Sequence, residues 1–336
     1  MARLMRIAVV GAGSWGTALA NLLALQAHDV TMWAYEPEVV ESVTCAHVND
    51  LFLAECPLAP SLTARTDMAE VVRDAELIVS AAPSHAVRAV TERIARVLDG
   101  ESRLIVSVSK GLEQGSLKTM SEVLEETMPS ARVAVLSGPS FAKEVYQRHP
   151  TAVVVASTES EAAETAQRIF GTSYFRVYTS SDLIGVQLGG ALKNVIAIAA
   201  GILHGLDLGY NSMAALVTRG LAEMTRLGHS MGADPMTFAG LAGIGDLVLT
   251  ATGGLSRNRA LGIELAKGRR LDDILAERKT VAEGVRTAQA AVALGDRAGV
   301  ELPIAGEVAK ILFEGKNAES ALSDLMGREP KAEHWR

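Results

Sequence analysis

A glycine-rich turn near the start of the chain limits the folds open to it more than any other feature. Gly11, Gly13 and Gly16 form a G-x-G-x-x-G pattern, which follows an apolar run at residues 4–10 and precedes a helical pattern at residues 14–25. Gly11 permits a tight turn, Gly13 lets a ligand approach the backbone, and Gly16 lets the helix pack closely on the strand. We therefore predict a turn that binds the pyrophosphate of a dinucleotide at a helix N-terminus. A glycine turn without a ligand is the alternative.

Short apolar runs alternate with helical patterns through the first half of the chain. The predicted strands cover residues 4–10, 30–33, 77–82, 104–108, 132–136, 151–156 and 175–178. Strands that alternate with helices favour a mostly parallel sheet covered on both faces. After about residue 181 the patterns are helical, at residues 182–203, 212–231, 256–267, 271–276, 284–298, 303–313 and 318–326. We predict an α/β fold, with a Rossmann-like doubly wound domain at residues 1–181 and an all-α domain at residues 182–336.

Composition and charge exclude several classes of partner. The net charge is −7, aromatic residues make up 4% of the chain, and no long basic run occurs, which argues against nucleic-acid binding. Cys45 and Cys56 lack metal-ligand spacing, so we expect free thiols, a reducing compartment and no metal site. The N-terminus reads as a first strand, because glycines interrupt it before a signal core could form. We therefore expect a cytoplasmic protein.

An apolar stretch at residues 185–206 contains one charged residue, Lys193, followed by Asn194. A buried ammonium is costly unless it is paired, and its pKa shifts readily. Lys193 is therefore either a core-helix lysine that reaches water at its tip or a catalytic lysine held in a cleft. A transmembrane helix needs about 20 apolar residues, and the uncharged run after Lys193, residues 195–203, is too short. We also expect the small neighbours Gly189, Gly190 and Ala191 to let cofactor and substrate approach the lysine closely.

Polar loops follow three of the predicted strands, at the sheet edge where such folds bind ligands. Pro83 ends one strand, Lys110 follows another, and Gly138 and Ser140 follow a third. Lys110 is either an attractor of an anionic substrate or a solvated surface lysine. The residue pattern alone leaves both interpretations open.

Two further motifs in the helical half carry chemistry. Asp246 lies among apolar neighbours and could cap its helix, pair with Lys193, or do both. A glycine turn leads to Ser256, Arg257 and Asn258, where helix N–H groups and a guanidinium could bind phosphate. An ordinary capped helix with a surface arginine is the alternative.

Cofactor choice depends on the end of the second predicted strand. An acidic residue there binds the adenosine ribose, whereas a basic residue accepts a 2′-phosphate. Glu36 follows Tyr35 at this point, and the local string WAYEPE contains no basic residue. We therefore predict NAD or NADP as cofactor, with NAD weakly favoured, although Glu36 could instead begin the next helix.

Seven motifs in one order resemble those of the NAD(P)-dependent glycerol-3-phosphate dehydrogenases of the bacterial cytoplasmic type. They are GAGSWGTALA, KGLE at Lys110, SGPSFAKE around Gly138, ALKN with Lys193, AGIGDLVLT around Asp246, SRNR at Arg257 and VAEGV at Glu283. They extend from about residue 5 to residue 325. The resemblance implies reversible reduction of dihydroxyacetone phosphate to sn-glycerol 3-phosphate, feeding glycerophospholipid synthesis, in an enzyme that forms homodimers and does not insert into membranes.

The resemblance also implies roles for individual residues. Lys193 would be the general acid/base, and we expect Asn194 and Asp246 to orient it. The residues implied to hold substrate are Lys110, Gly138, Ser140, Lys193, Asp246, Ser256, Arg257 and Asn258. Those expected at the cofactor are Gly11, Gly13, Ser14, Trp15, Gly16, Tyr35, Glu36, Pro83, Lys110, Ala142, Arg257, Val281 and Glu283.

This chain departs from the family pattern at two points. Met213 stands where family members often carry a basic residue, so anion affinity could be lower here. The missing basic residue near Tyr35 and Glu36 strengthens the preference for NAD. Two alternatives stay open: a 3-hydroxyacid dehydrogenase, which would carry an asparagine at the position of Ala197, and a non-catalytic dinucleotide sensor.

Overall fold

The computed structural model describes residues 4–277, 282–330 and 332–333. Over these residues the chain forms one eight-stranded sheet followed by a helical half. The strands are β1 Arg6–Val10, β2 Asp29–Trp33, β3 Thr63–Arg65, β4 Leu77–Ser80, β5 Leu104–Ser107, β6 Arg132–Ser137, β7 Thr151–Ala156 and β8 Phe175–Ser180. Their spatial order is β3-β2-β1-β4-β5-β6-β7-β8. All neighbours pair in parallel except β6 and β7, so the prediction of a mostly parallel, doubly wound sheet is confirmed.

Helices cover both faces of this sheet. They are α1 Ser14–Leu25, α2 Pro37–Glu41, α3 Met68–Val72, α4 Val87–Leu98, α5 Met120–Thr127, α6 Ala142–Tyr146 and α7 Ser160–Phe170, with short helical turns at Ser42–Ala46 and Ser84–Ala86. The central strands are apolar along their whole length because both faces are buried. The strand order reverses between β1 and β4, and the crevice at this point opens at the carboxyl ends of the strands.

Two local expectations from the sequence were wrong. The short strand β3 was missed, because only three residues form it and just one of them, Ala64, is buried. The residue pattern at 116–128 predicts a helix, but the helix begins only at Met120. Leu117 has a left-handed backbone with φ of +62°, which interrupts a helix, and Thr119 and Glu122 then form a reciprocal capping box.

The second half is helical throughout its described residues, as predicted. Its helices are α8 Leu183–Gly205, α9 Tyr210–Ser230, α10 Pro235–Phe238, α11 Asp246–Thr252, α12 Arg257–Ala266, α13 Leu271–Ala276, α14 Glu283–Ala298, α15 Pro303–Phe313 and α16 Ala318–Met326, with a π-helical turn at Leu241–Gly245. Asp182 begins α8 by accepting a hydrogen bond from the Gly185 N–H at 2.8 Å. The helix then runs through the centre of the second core.

Helix α8 is apolar because other helices surround it. Its hydropathy and length, and those of the Pro235–Thr252 stretch, are sufficient for a membrane span on composition alone. In α8, however, 94% of the apolar window is buried inside the protein. Its composition is therefore that of a core helix, and Lys193 lies in the middle of it.

Candidate active site

The glycine turn has the geometry that a phosphate-binding loop requires. Gly11 has a φ of +122°, and a Cβ there would lie 2.7 Å from the Ala81 carbonyl group. A Cβ at Gly16 would lie 2.0 Å from the Gly11 oxygen, whereas nothing lies within 4 Å of the corresponding position at Gly13. Gly13 also precedes α1 without a side-chain cap, so no capping side chain occupies the N–H groups of the first turn. The turn fits a pyrophosphate.

Residues beside the turn are held from neighbouring segments. The Ser14 hydroxyl donates to the Phe52 carbonyl oxygen at 2.6 Å. The Trp15 ring lies 6.4 Å from the Phe175 ring, and its buried indole N–H has no hydrogen-bond partner within the described part of the chain. Ala142, the first residue of α6, packs against the same small apolar cluster as Trp15. A buried donor without a partner is costly, so Trp15 fits a site that a ligand completes.

The carboxyl end of β2 has more positive charge nearby than its own sequence indicates. Tyr35 is 77% exposed, and Glu36 directly precedes α2 without capping it. Arg65 at the end of β3 lies in register with Trp33 at the end of β2, and the Arg93 guanidinium lies 5.0 Å from the Trp33 ring centre. Reading the local string alone could not find these arginines, because β3 and α4 bring them from elsewhere in the chain.

One buried carboxylate between two lysines forms the centre of the site. Lys193 Nζ donates to Asp246 Oδ1 at 2.5 Å and to Thr250 Oγ1 at 2.7 Å. Lys110 Nζ donates to the other oxygen, Asp246 Oδ2, at 2.7 Å. Asp246 is fully buried and Lys193 is 6% exposed. The structure therefore pairs Asp246 with Lys193, as one interpretation of the sequence expected, and adds Lys110 to the same carboxylate.

Burial and charge act on these groups in opposite directions. Burial lowers the pKa of Lys193 to about 8, and the neighbouring Lys110 charge adds to this effect, while Asp246 opposes it. Burial works against ionisation of Asp246, but the charges and hydrogen bonds of Lys110 and Lys193 hold its pKa below the ordinary value. Asp246 is therefore a carboxylate near neutrality, and Lys193 can both give and take a proton there.

Asp246 does not cap its own helix. It is the first residue of α11, Gly245 occupies the cap position, and no side chain caps that helix. Its carboxylate therefore pairs with the two lysines and does not also cap the helix. Thr250 was missed from the sequence, although it lies one helical turn after Asp246, and that spacing places both on one face.

Lys110 also reaches the loop after β6. Its Nζ donates to the Gly138 carbonyl oxygen at 2.9 Å, and the Ser140 hydroxyl donates to the same oxygen at 2.9 Å. Lys110, Gly138 and Ser140 thus lie together beside Asp246, on the side of the sheet domain. Lys110 is therefore largely shielded from solvent and paired with Asp246, unlike a solvated surface lysine.

Asn194 faces away from Lys193 in its hydrogen bonding. Its amide donates to the Gly190 carbonyl oxygen at 3.3 Å, and its oxygen accepts from Asn258 at 2.9 Å. The Asn258 oxygen in turn accepts from the Gly284 N–H at 3.0 Å. Asn194 and Asn258 therefore join α8, α12 and α14, and Thr250 takes the contact with Lys193 that was expected of Asn194.

The remaining predicted residues lie around the cleft. The buried Ser256 caps α12 by accepting from the Arg259 N–H at 3.2 Å, and Arg257 is the exposed first residue of that helix. Pro83 is exposed at the turn after β4. Glu283 begins α14 and accepts hydrogen bonds from Ser84, whereas Val281 lies outside the described residues.

Gly189 and Gly190 do not give ligands access, contrary to expectation. A Cβ at Gly189 would lie 2.3 Å from the Ala242 carbonyl oxygen, and one at Gly190 would lie 2.7 Å from the Ser137 hydroxyl. These glycines let α8 pack closely on the adjacent turn and on β6. Their role is to fix the helix that carries Lys193.

Comparisons with known proteins agree over nearly the whole chain. The family model for the NAD-dependent glycerol-3-phosphate dehydrogenase N-terminus matches residues 6–163, and the model for the C-terminus matches residues 182–323. The chain is 54% identical to glycerol-3-phosphate dehydrogenase [NAD(P)+] of Geobacter metallireducens, over 98% of each chain. It is 53% identical to the protein of that name from Geobacter sulfurreducens, over 98% of this chain and 99% of the relative. The crystal structure of glycerol-3-phosphate dehydrogenase from Coxiella burnetii superposes with a TM-score of 0.93 at 38% identity, covering 97% of this chain and 99% of that one.

Proposed function

We propose a mechanism from one premise: the chain belongs to the NAD-dependent glycerol-3-phosphate dehydrogenase family. Its reaction is the reversible, NAD(P)H-dependent reduction of dihydroxyacetone phosphate to sn-glycerol 3-phosphate. One observation supports the mechanism above all others. It is the buried Lys193 ammonium, which shares Asp246 with Lys110 at the junction of the sheet and the helical half.

Lys193 is the general acid in the direction of reduction. The nicotinamide cofactor, when bound, supplies the hydride. Lys193 Nζ donates a proton to the oxygen of the substrate carbonyl as negative charge develops there. In the reverse direction the neutral amine accepts that proton. A pKa of about 8 allows both roles near neutral pH.

Asp246 and Thr250 direct the Lys193 ammonium. Both accept hydrogen bonds from Lys193 Nζ, so its remaining N–H is the one left for the substrate. Lys110 holds the second Asp246 oxygen, which fixes the carboxylate and adds positive charge for an anionic substrate. Asn194 acts on Lys193 only indirectly. It accepts a hydrogen bond from Asn258 and so holds α8 against α12.

The substrate phosphate is bound at the start of α12. Ser256 accepts from its own helix through its oxygen and keeps its O–H for a ligand, and Arg257 adds a guanidinium beside it. Asn258 donates one amide hydrogen to Asn194, and its second amide hydrogen is available to the phosphate. Gly138 and Ser140 complete the wall beside Lys110. Binding of the remote phosphate aligns the carbonyl with Lys193.

Residues near the end of β2 provide contacts for NAD and for NADP. Glu36 favours the 2′-hydroxyl of NAD, so NAD stays weakly preferred in the proposal. Arg65 and Arg93 lie near the same strand end and could receive a 2′-phosphate. The ratio of NADH-dependent to NADPH-dependent activity therefore tests how the residues at this strand end select the cofactor.

We further propose the setting in which the enzyme works. It acts in the cytoplasm as a homodimer, without inserting into a membrane and without a nucleic-acid partner. Its product, sn-glycerol 3-phosphate, feeds glycerophospholipid synthesis. The net charge of −7 argues against a nucleic-acid partner, and the burial of α8 argues against its insertion into a membrane.

The test is turnover of dihydroxyacetone phosphate by the purified protein with NADH and, separately, with NADPH. We expect turnover with both cofactors and a higher kcat/KM with NADH. Binding of NADH without turnover would instead indicate a dinucleotide sensor. Oxidation of a 3-hydroxyacid in place of glycerol 3-phosphate would indicate the other dehydrogenase class.

A further inference from the structure

Ser84 and Glu283 connect the sheet domain to the helical half, 199 residues apart in the chain. Glu283 Oε1 accepts from the Ser84 backbone N–H at 3.2 Å, and Glu283 Oε2 accepts from the Ser84 hydroxyl at 2.5 Å. Ser84 is 3% exposed. Because both carboxylate oxygens are engaged by one residue, this contact is charge-assisted and has a fixed geometry.

The Ser84–Ala86 turn and Gly111 both favour the contact between Ser84 and Glu283. Ser84 begins the helical turn Ser84–Ala86 that runs into α4, and a carboxylate at the start of a helix is stabilised by the unpaired N–H groups there. A Cβ at Gly111 would lie 2.6 Å from Ser84 Cβ and 3.4 Å from Glu283 Oε2, so Gly111 leaves room for the pair. Gly111 directly follows Lys110, one of the two lysines on Asp246.

On the other side, Glu283 is linked to the helix that carries the catalytic lysine. The next residue, Gly284, donates its N–H to Asn258, and Asn258 donates to Asn194, the neighbour of Lys193. A Cβ at Gly284 would lie 2.6 Å from the Asn194 carbonyl oxygen, so α14 and α8 are in close contact here. Hydrogen bonds on either side of the Glu283–Gly284 peptide bond thus link the loop after β4 to α8.

We infer that Glu283 is a positioning residue that clamps the sheet domain to the helical half through Ser84, and so sets the cleft in which cofactor and substrate meet. This inference rests on the proposed function and goes beyond it, because the resemblance implies a cofactor contact for Glu283 but no link between the two halves. In the structure Ser84 donates to both oxygens of Glu283. Beyond any contact of its own, Glu283 therefore acts on the cofactor through the position of the Ser84 turn and of α14.

A double-mutant cycle on the full-length protein tests the clamp. The variants are Ser84→Ala, Glu283→Ala and the double variant, with the exposed Ser323→Ala and Glu314→Ala as matched controls. The readouts are the Kd of NADH from fluorescence and the kcat/KM for dihydroxyacetone phosphate. We expect each single variant to lose on the order of 10-fold in both, and the double variant to lose about the same 10-fold, because both changes break one contact. The controls should match the wild type.

Three results would overturn the clamp. They are losses that multiply to about 100-fold in the double variant, a loss confined to Glu283→Ala with Ser84→Ala unchanged, and wild-type values for both single variants. Glu283→Gln replaces Glu283→Ala in the cycle if the alanine variant does not fold. Faster amide hydrogen exchange confined to Ser84–Ala86 and the first turn of α14 would support the clamp. The double-mutant cycle that uses the Kd of NADH requires no turnover. Its outcome can therefore be distinguished from a failure of the proposed reaction.

Discussion

At the scale of single residues, the proposed mechanism depends on one carboxylate, Asp246, that accepts hydrogen bonds from two lysines. Asp246 raises the pKa of Lys193, while burial and Lys110 lower it, and the balance leaves that pKa at about 8. Lys193 must be protonated to act as an acid and neutral to act as a base. The direction of the reaction is therefore coupled to pH through this one group.

The pH dependence of the two directions tests this balance. Reduction of dihydroxyacetone phosphate should fall as the pH rises through about 8, and oxidation of glycerol 3-phosphate should rise over the same range. In Asp246→Asn the opposing negative charge is gone, so both midpoints should move to lower pH, with a large loss of kcat. The exposed Asp272→Asn serves as control. Midpoints unchanged in Asp246→Asn would show that another group titrates.

At the scale of elements, buried side chains fix the helices that pack around α8. Glu223 on α9 is buried and accepts from the Ile304 and Ala305 N–H groups at the start of α15, at 2.7 Å and 3.3 Å. Burial raises the pKa of Glu223 to about 7, although these two hydrogen bonds oppose the shift. The folded state therefore holds a proton on Glu223 over a range in which the unfolded chain has lost it.

The sign of this shift predicts how stability changes with pH. Because the pKa of Glu223 is higher in the folded state, its contribution is fully present at low pH and is lost as pH rises from about 4.5 through about 7. The slope is at most about 1.4 kcal/mol per pH unit. Glu223→Gln should remove this part of the decline in the midpoint of thermal unfolding between about pH 5 and about pH 8. The exposed Glu314→Gln should not, and an equal decline in Glu223→Gln and wild type would refute the assignment.

The elements also show what the sequence could and could not predict. Long apolar periodic segments such as α8, and the glycine turn before α1, were recognisable because local pattern determines them. Strand β3 and the start of α5 were not, because a three-residue edge strand has little pattern and Leu117 adopts a rare backbone conformation. The arginines near Trp33, the contact of Thr250 with Lys193 and the pairing of Ser84 with Glu283 depend on distant segments meeting, which local pattern does not contain.

At the scale of the whole molecule, the sheet domain and the helical half contribute different parts of the candidate site. The sheet supplies the glycine turn, and the helical half supplies Lys193, Asp246 and the start of α12. Lys110 and Ser84 reach across to Asp246 and Glu283, so the reacting groups are complete only where the halves meet. Ligands commonly bind at such a junction. Removing the lysine should therefore impair chemistry without impairing the dinucleotide turn, which lies on the other half.

The proposed role of Lys193 as general acid/base is tested by the kcat of Lys193→Ala with dihydroxyacetone phosphate and NADH. The Kd of NADH is measured on the same preparation. Loss of a positioned proton donor should lower kcat by about 10²–10⁴-fold, while the Kd stays near that of the wild type. Lys267→Ala, an exposed lysine on the surface of the helical half, is the control and should retain full activity. A kcat for Lys193→Ala close to the wild-type value would contradict the assignment of Lys193 as the general acid/base.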